Sequence, residues 1–539
     1  MTDTDTTAQP SKPDRTLRLP DGTDLIGDAP IVIIGPNGSG KTRKARDLQA
    51  TCPIEFVNAL RNTRIQPSVP AMAYTDAESQ FVGRRDQSRE RHWDWSDEFD
   101  FLLASLMAQH ATDAIKFVDA WRAGEAPPDM EDALQKIRDL WSEVFPGRKL
   151  AIDDYRPMIT STTSGQEIQY TAQTMSDGER TAIYLGGRVL RAQPGVLVVD
   201  EPENHLHSNL AARLWDEFER ARPDLRFVYI THDLTFARSR RTASYVIASP
   251  VDGLQAVDLG ADVPDDVAEV LLGTASMSFY ARRVVLCEGE TASRDKALYR
   301  AWFNEQDTVV RAVGSSEMVH RCISALAGDW LVRNLKAVGI IDRDFHTDEY
   351  LATLPSGLVA LPLHEVESLY CLPAVVAAVA AHLQKCFDAG DYLTCLRESV
   401  TVPERHKVVL ERWKQRIEPR LIAVVAKVHA RQDPLETIVA ALAQTFDPAS
   451  WDFNAAELLR EEKERVETAA TVGDVEGLLR LLPGKGRLAA AAQYVGLHVD
   501  AYVHLINQSL RGADGLDTVG AAVDTALAPH LPVRALSPT

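Results

Sequence analysis

The sequence predicts an α/β protein: two successive parallel sheets, the first interrupted by a helical insertion, the second followed by a helical C-terminal region. Three observations predict it. Short apolar runs that end in polar residues recur in two separate blocks, as strands buried on both faces do. Segments with helical spacing alternate with those runs, which is how βαβ units read. The chain has 539 residues, too many for one core, and length alone argues for roughly two to four domains.

The opening "MTDTDTTAQPSKPD" has neither a basic nor an apolar stretch of the kind that directs secretion, and residues 1–17 read as a disordered tail. The first domain is expected over 18–260. Within it "APIVIIGPNGSGKTRKARDL" is a strand, a Gly-rich turn and a helix opening, while "GVLVVDEPE" and "RFVYITHD" are further buried strands. Between them, about 86–148, "FDFLLASLMAQHATDAIKFVDAWRAG" and "MEDALQKIRDLWSEVF" carry apolar residues at helical spacing around "EAPPD", a helical insertion. "SYVIASP" and "LQAVDLG" close this domain, and "VPDDVAEVLLG" supplies a linking helix within 261–280.

A second alternation fills 281–372: strand "RRVVLCEG", helix "DKALYRAWF", strand "TVVRAVG", helix "EMVHRCISALAG" and strand "KAVGIIDRD". Residues 373–539 are Ala- and Leu-rich and helical, with "LLPGKGRL" as a polar interruption and no solenoid repeat.

Composition narrows the class. A net charge of -19 argues against a generally basic nucleic-acid binder, so such contacts must be local. Six cysteines without a C-x-x-C pair indicate neither a disulfide framework nor a zinc site. The longest apolar run, near "LPAVVAAVAAHL", is too short to span a bilayer, so no membrane partner is expected and a reducing cytoplasm is the simplest home.

"GPNGSGKT" fits G-x-x-x-x-G-K-[ST] in full. Backbone N–H groups of Asn37, Gly38, Ser39 and Gly40 would cradle phosphate oxygens, Lys41 would reach the β- and γ-phosphates, and Thr42 would ligate Mg²⁺. A chance Gly-rich loop is the bland reading, and the flanking strand and helix weigh against it. Asp200 ends "VLVVDEPE" and can hold the Mg²⁺ of bound ATP, with Glu201 orienting the attacking water. "TMSDGERTAIYL" offers the Ser176 hydroxyl and the Gly178 N–H to an anion, and "YITHD" sets His232 at a strand end, within reach of a γ-phosphate.

These four elements, in this order, resemble the ATP-binding-cassette (ABC) P-loop ATPases, most closely the soluble branch with structural-maintenance-of-chromosomes, RecF and overcoming-lysogenization-defect (OLD) proteins. "MSDGER" departs from the transporter signature L-S-G-G-Q but suits that branch, as does "DEPENHLH". "FVNALRNTRIQ" resembles the segment after the first helix and makes Gln66 a candidate Mg²⁺ contact. In this family the signature serine serves the ATP of the opposite subunit. The resemblance therefore implies an ABC-type ATPase head acting as a homodimer or higher homo-oligomer.

The second block carries a different chemistry. "VVLCEGE" ends a strand in Glu288, and "VGIIDRD" ends another in Asp342 and Asp344. In a parallel sheet both ends share one edge. Side chains alternate along an extended strand, so Asp342 and Asp344 should face one way. Three carboxylates within about 4 Å repel by roughly 4 kcal/mol per pair at an effective dielectric near 20. That repulsion invites protonation or a divalent cation, Mg²⁺ or Mn²⁺ for an oxygen-only set. Such an ion can drive in-line phosphoryl displacement. Solvated strand caps are the bland alternative.

This arrangement resembles the Toprim domain of topoisomerases, primases and OLD nucleases, with "AVGSSEMV" like its second turn. The likeness implies a Toprim-like α/β domain with Glu288 as general acid/base and metal ligand and Asp342 and Asp344 as metal ligands. Where the family often has an acid four residues after the glutamate, Ala292 stands here, and Glu290 and Asp295 are out of register. "LPLHEVESLYCLP" is similar to a further acidic turn of OLD-like and PARIS-type anti-phage proteins; Glu367 is its best match as a ligand, and Glu365 reads as solvated. "LLPGKGRL" resembles a late Gly-Lys element that makes Lys485 a candidate for stabilising charge at the cut phosphate, a surface lysine being the blander explanation.

The combined resemblance implies an ATP-regulated, metal-dependent endonuclease acting on DNA or RNA, with a protein partner from a bacterial defence system. Arg238, Arg240, Arg241, Arg282 and Arg283 are candidate backbone contacts, although such runs are more often solvated faces. The alternative is an ATPase scaffold that holds a toxin or DNA and carries a non-catalytic Toprim fold. A repair ATPase like RecF is a third reading, which gives the second aspartate pair no role.

Overall fold

Ile31–Ile34 is buried throughout and hydrogen-bonds on both sides, to Ser244–Ser249 and to Leu225–Thr231. The structure is a computed structural model that describes residues 15–36, 38–59, 69–90, 98–126, 132–153, 155–163, 166–249, 253–257, 263–277, 281–290, 292–303, 307–326, 330–332, 335–426 and 442–534. The chain divides into two units, Met1–Val257 with Ala275–Phe279, and Asp258–Thr274 with Tyr280–Thr539.

In the first unit the main sheet runs Gly253–Ala256, Ser244–Ser249, Ile31–Ile34, Leu225–Thr231, Gly195–Asp200, Ile54–Asn58. Only the first pair is antiparallel. The register sets Ile34 opposite Thr231, and Asp200 opposite both Ile230 and Asn58, so these strands end together at one edge. Ile31, Ile33, Val196, Val198, Val228 and Ile230 bury one face of the sheet, as expected of near-continuous apolar runs.

The insertion contains the helices Glu98–Ala123 and Ala133–Val144. The second buries Leu134, Ile137, Trp141 and Val144 at helical spacing, and Asp132 caps it by accepting the Gln135 N–H. A three-stranded antiparallel sheet, Arg148–Asp153, Arg156–Thr163 and Gln166–Thr171, follows directly and was not expected. Residues 15–17, expected within the tail, are instead packed: Arg15 is buried and donates to the Pro223 carbonyl, and Leu17 pairs with Leu25 and Ala50.

The second unit holds a five-stranded sheet. Thr308–Ala312, Arg283–Cys287 and Leu335–Ile341 run parallel in that order, Leu358–Ala360 adds to the last in parallel, and Trp330–Val332 adds to it antiparallel. The sheet is therefore mixed rather than wholly parallel. From Val366 onward the described regular elements are helical, closing with Gly484–Tyr494, Val499–Leu510 and Asp517–Leu527. One apolar core joins sheet residues Val285, Cys287 and Ile340 to Leu363, Leu478, Leu488 and Tyr502, so these helices cover the sheet that carries the carboxylates. Among the described residues no helix is long and apolar enough to cross a membrane.

Candidate nucleotide and metal sites

Gly38 and Gly40 take φ of 83° and 79°, a left-handed path that glycine enters without a Cβ penalty, and the helix Lys41–Arg46 starts straight after. Lys41 is buried, and its Nζ donates to the carbonyls of Gly35 at 2.8 Å and Pro36 at 3.3 Å. Burial lowers its pKa, against the pull of Glu201, Asp200 and Glu203. Thr42 donates to Asp200 Oδ2 at 2.7 Å, joining two elements 158 residues apart in sequence. Burial raises the Asp200 pKa, a setting that suits a cation in place of a proton.

Glu201 follows at φ 56°, a conformation uncommon for a non-glycine residue. Its carboxylate lies 2.8 Å from His232 Nδ1. Glu203, also in "DEPE", has no role in the sequence reading, yet it is buried, accepts the Thr231 hydroxyl, and is pushed up to about 7 by that burial. One donor atom each from Glu201, Glu203 and His232 lie within 4.8 Å of one another. Ser176 and Gly178 open the helix Asp177–Leu190, where Ser176 is engaged in a capping box with Glu179. Glu179 in turn accepts from Arg148 at 2.7 Å and Tyr170 at 2.6 Å, which ties the antiparallel sheet to this helix. Asn37 and Gln66 lie outside the described residues.

In the second unit, Cys287 sits opposite Ile340, so the neighbouring strands bring Glu288 beside Asp342. Glu288 Oε1 accepts the Asp342 N–H at 2.8 Å, and Asp342 Oδ1 accepts the Val366 N–H at 3.1 Å. The alternation expected for Asp342 and Asp344 does not hold. The strand ends at Ile341, and Asp344 takes φ 44° in the following turn, where its N–H donates to the His364 carbonyl at 2.7 Å.

Burial pushes Glu288 up to about 7, with Asp344 and Asp295 adding repulsion. Asp342 is raised well above the usual carboxylate range by burial and by Asp295, Glu288, Asp344 and Glu365. Asp295, out of register in the sequence, is thus part of the cluster: it stands in the first turn of the helix Arg294–Trp302 and is itself pushed up to about 6 by burial. Glu365 is also corrected. It is buried, not solvated, and its Oε1 accepts the Lys485 N–H at 2.7 Å. Buried like charges at this density fit a divalent cation.

Glu367 is buried and pairs with Arg294 at 3.1 Å. Lys485 projects an exposed ammonium 3.8 Å from Glu365. It reaches there because Gly484 packs against the Ser368 N–H: a Cβ at 484 would lie 2.4 Å from that nitrogen. Asp295, Glu367 and Lys485 line a cleft of about 640 Å³ with Asp500, His504 and Asn507. Among the described residues of this unit, the group whose donor atoms close to within 4.8 Å is Asp344, His364 and Glu365; the sequence reading gave His364 no role, although it lies in the quoted "HEVES" turn.

Two of the arginine candidates are structural. Arg240 is buried against Asp216 and Glu219, and Arg283 is buried and donates to the carbonyls of Val533 and Arg534.

Residues 76–238 match the family described as "AAA domain, putative AbiEii toxin, Type IV TA system". These residues are part of an AAA-type P-loop NTPase domain. The stretch begins after the Gly-rich loop and takes in Ser176, Asp200, Glu201 and His232. No curated protein matches the chain. Among solved structures, the Smc head domain with an extended coiled coil bound to the C-terminal domain of ScpA, from Pyrococcus furiosus, shares 13% identity over 34% of this chain and 47% of that one, at a TM-score of 0.19. The chain thus spans about half the length of that structure, a likeness too slight to bear on its fold.

Proposed function

We propose that the chain is an ATP-regulated, metal-dependent nucleic-acid endonuclease of the OLD-like type, an ABC-type head followed by a Toprim-like domain, serving bacterial anti-phage defence. The observation that carries this reading is the hydrogen bond from the Asp342 N–H to Glu288, set among the half-buried Asp295 and Asp342 and the buried Glu365. A structural cap has no need of so many ionisable groups at one sheet edge, each made costly to ionise by burial.

In the first unit, Lys41 and the Gly-rich loop would hold the phosphates, Thr42 and Asp200 would face Mg²⁺, and Glu201 would orient water while paired with His232. ATP bound there would join two heads, the signature Ser176 of one subunit serving the other.

In the second unit, Asp342 and Asp344 with Glu288 and Glu367 are the residues to hold Mg²⁺ or Mn²⁺, an ion that supplies activation of water and neutralisation of the phosphoryl oxygens. Glu288, titrating near neutrality, is suited to take a proton from the attacking water and return one to the leaving oxygen. The exposed Lys485 ammonium would balance charge that develops on the phosphate.

The test is cleavage of plasmid DNA and of tRNA by the full chain with Mn²⁺, with ATP present, absent or replaced by ADP. Loss of cleavage in Glu288→Ala with ATP hydrolysis retained supports the reading. ATP hydrolysis that Lys41→Ala abolishes, with no cleavage of either substrate, leaves a scaffold ATPase in its place.

A further inference from the structure

His364 is 2% exposed, and neither of its ring nitrogens has a hydrogen-bond partner among the described residues. Buried polar side chains are seldom left so, and imidazole is the commonest metal ligand among side chains. The ring is aimed at a carboxylate, with Nδ1 standing 4.0 Å from Asp344 Oδ1. That gap is too long for a hydrogen bond and suits two donors on one ion, since ligand atoms about 2.1 Å from a common centre stand roughly 3.0–4.2 Å apart. A Glu365 oxygen completes the set, all three donors lying within 4.8 Å of one another. The widest pair, no more than 4.8 Å apart, has to close by at most about 0.6 Å to share an ion.

The backbone fixes these groups before any ion arrives. The Asp344 N–H donates to the His364 carbonyl at 2.7 Å, and the His364 N–H donates to the Leu479 carbonyl at 2.9 Å. Glu365 is held through the Lys485 N–H. Cationic neighbours do not use up the carboxylates: Arg343 pairs with Asp348, Arg412 with Glu462 and Arg487 with Glu404. Lys485 alone of these faces Glu365, at 3.8 Å and largely exposed, where it can swing away.

We infer that Asp344, His364 and Glu365 form a metal subsite of their own, beside Glu288 and Asp342, that takes a first-row transition ion (Mn²⁺, Co²⁺ or Zn²⁺) in preference to Mg²⁺. One nitrogen and two oxygens make a borderline donor set, whereas Mg²⁺ is satisfied by oxygen and water. Nothing in this arrangement depends on which reaction the unit performs.

The experiment uses the full-length chain carrying His232→Ala, so that the ring in the Glu201–Glu203 cluster cannot contribute. Mn²⁺ is added in the presence of excess Mg²⁺, and pulsed EPR reads ¹⁴N coupling from a directly bound imidazole. The coupling is expected, is expected to survive His346→Gln, and is expected to vanish in His364→Gln, with Mn²⁺ affinity down about 10–100-fold. Should His364→Gln fail to fold, Glu365→Gln serves: it should weaken Mn²⁺ by a similar factor and keep the coupling at saturation. Failure to bind Mn²⁺, binding without ¹⁴N coupling, coupling that persists in a folded His364→Gln chain, or unchanged affinity in Glu365→Gln overturns the subsite. A chain that shows the coupling but cuts no nucleic acid keeps the subsite and loses the nuclease.

Discussion

Glu288 Oε1 accepts the backbone N–H of Asp342 at 2.8 Å, so the glutamate that ends one strand is clamped to the aspartate that ends its neighbour. The bond orients the carboxylate, on which the Ser316 backbone N–H also acts. It also puts Glu288 under the field of Asp344 and Asp295.

Glu288→Gln keeps an oxygen for the Asp342 N–H and removes only the charge. Cleavage with Mn²⁺ should fall by about 100-fold or more, the usual worth of a positioned acid or base. Phosphate release from ATP should stay at the level of the unaltered chain. Equal loss of both activities would show that the substitution acts by unfolding the protein.

The pH dependence follows from the raised carboxyls. Glu288 moves from 4.5 to about 7 and Asp295 from 3.8 to about 6. A carboxyl whose folded pKa is raised binds its proton more tightly in the native state. Its contribution to stability is therefore complete below the unfolded pKa and is lost as pH climbs through the folded one. Metal-free protein should thus lose several degrees of melting temperature between about pH 4 and 7. A divalent ion must displace those protons, so its affinity should rise across the same window, and Mn²⁺ should restore the lost stability at pH 7.5. Calorimetric scans with and without Mn²⁺ at several pH values check both.

Lys41→Ala removes the cation that faces Asp200, Glu201 and Glu203. ATP hydrolysis should fall about 100-fold or more, with nucleotide binding weakened. Glu201→Gln should instead keep binding and lose turnover. If the heads pair through nucleotide, its mass in ATP, read by light scattering, should double relative to the ATP-free chain.

Gly484→Ala puts a methyl 2.4 Å from the Ser368 nitrogen, where backbone rather than a flexible side chain must yield. A loss of about 1–3 kcal/mol is expected from the overpacking, read by urea unfolding. Cleavage should drop further than stability explains, because the shift carries Lys485 away from Glu365. Gly486→Ala, whose Cβ would lie 4.0 Å from Glu404, serves as the tolerant control.

Much of this arrangement was legible along the chain. The Gly-rich loop, the strand ends at Asp200 and His232, and the pair Glu288 with Asp342 are all written in runs of ten residues or fewer. The antiparallel sheet after the insertion also left a trace, in the β-branched residues of "MITSTT" and the polar–apolar alternation of "QEIQYT". Period-two alternation does not reach Asp344 because the strand ends at Ile341 and the chain turns there.

By itself the sequence determined the elements and the local chemistry of each strand end, because apolar periodicity, glycine and capping act between near neighbours. Only the tertiary structure decided that Asp295, His364 and Glu365 join Asp342 and Asp344. Those residues arrive on the helix Arg294–Trp302 and on the turn before Val366–Tyr370, and their meeting depends on Leu363, Leu478 and Leu488 packing into the sheet's core. Such long-range burial has no signature in a local window, since it is fixed by the shape of the whole core rather than by spacing along the chain.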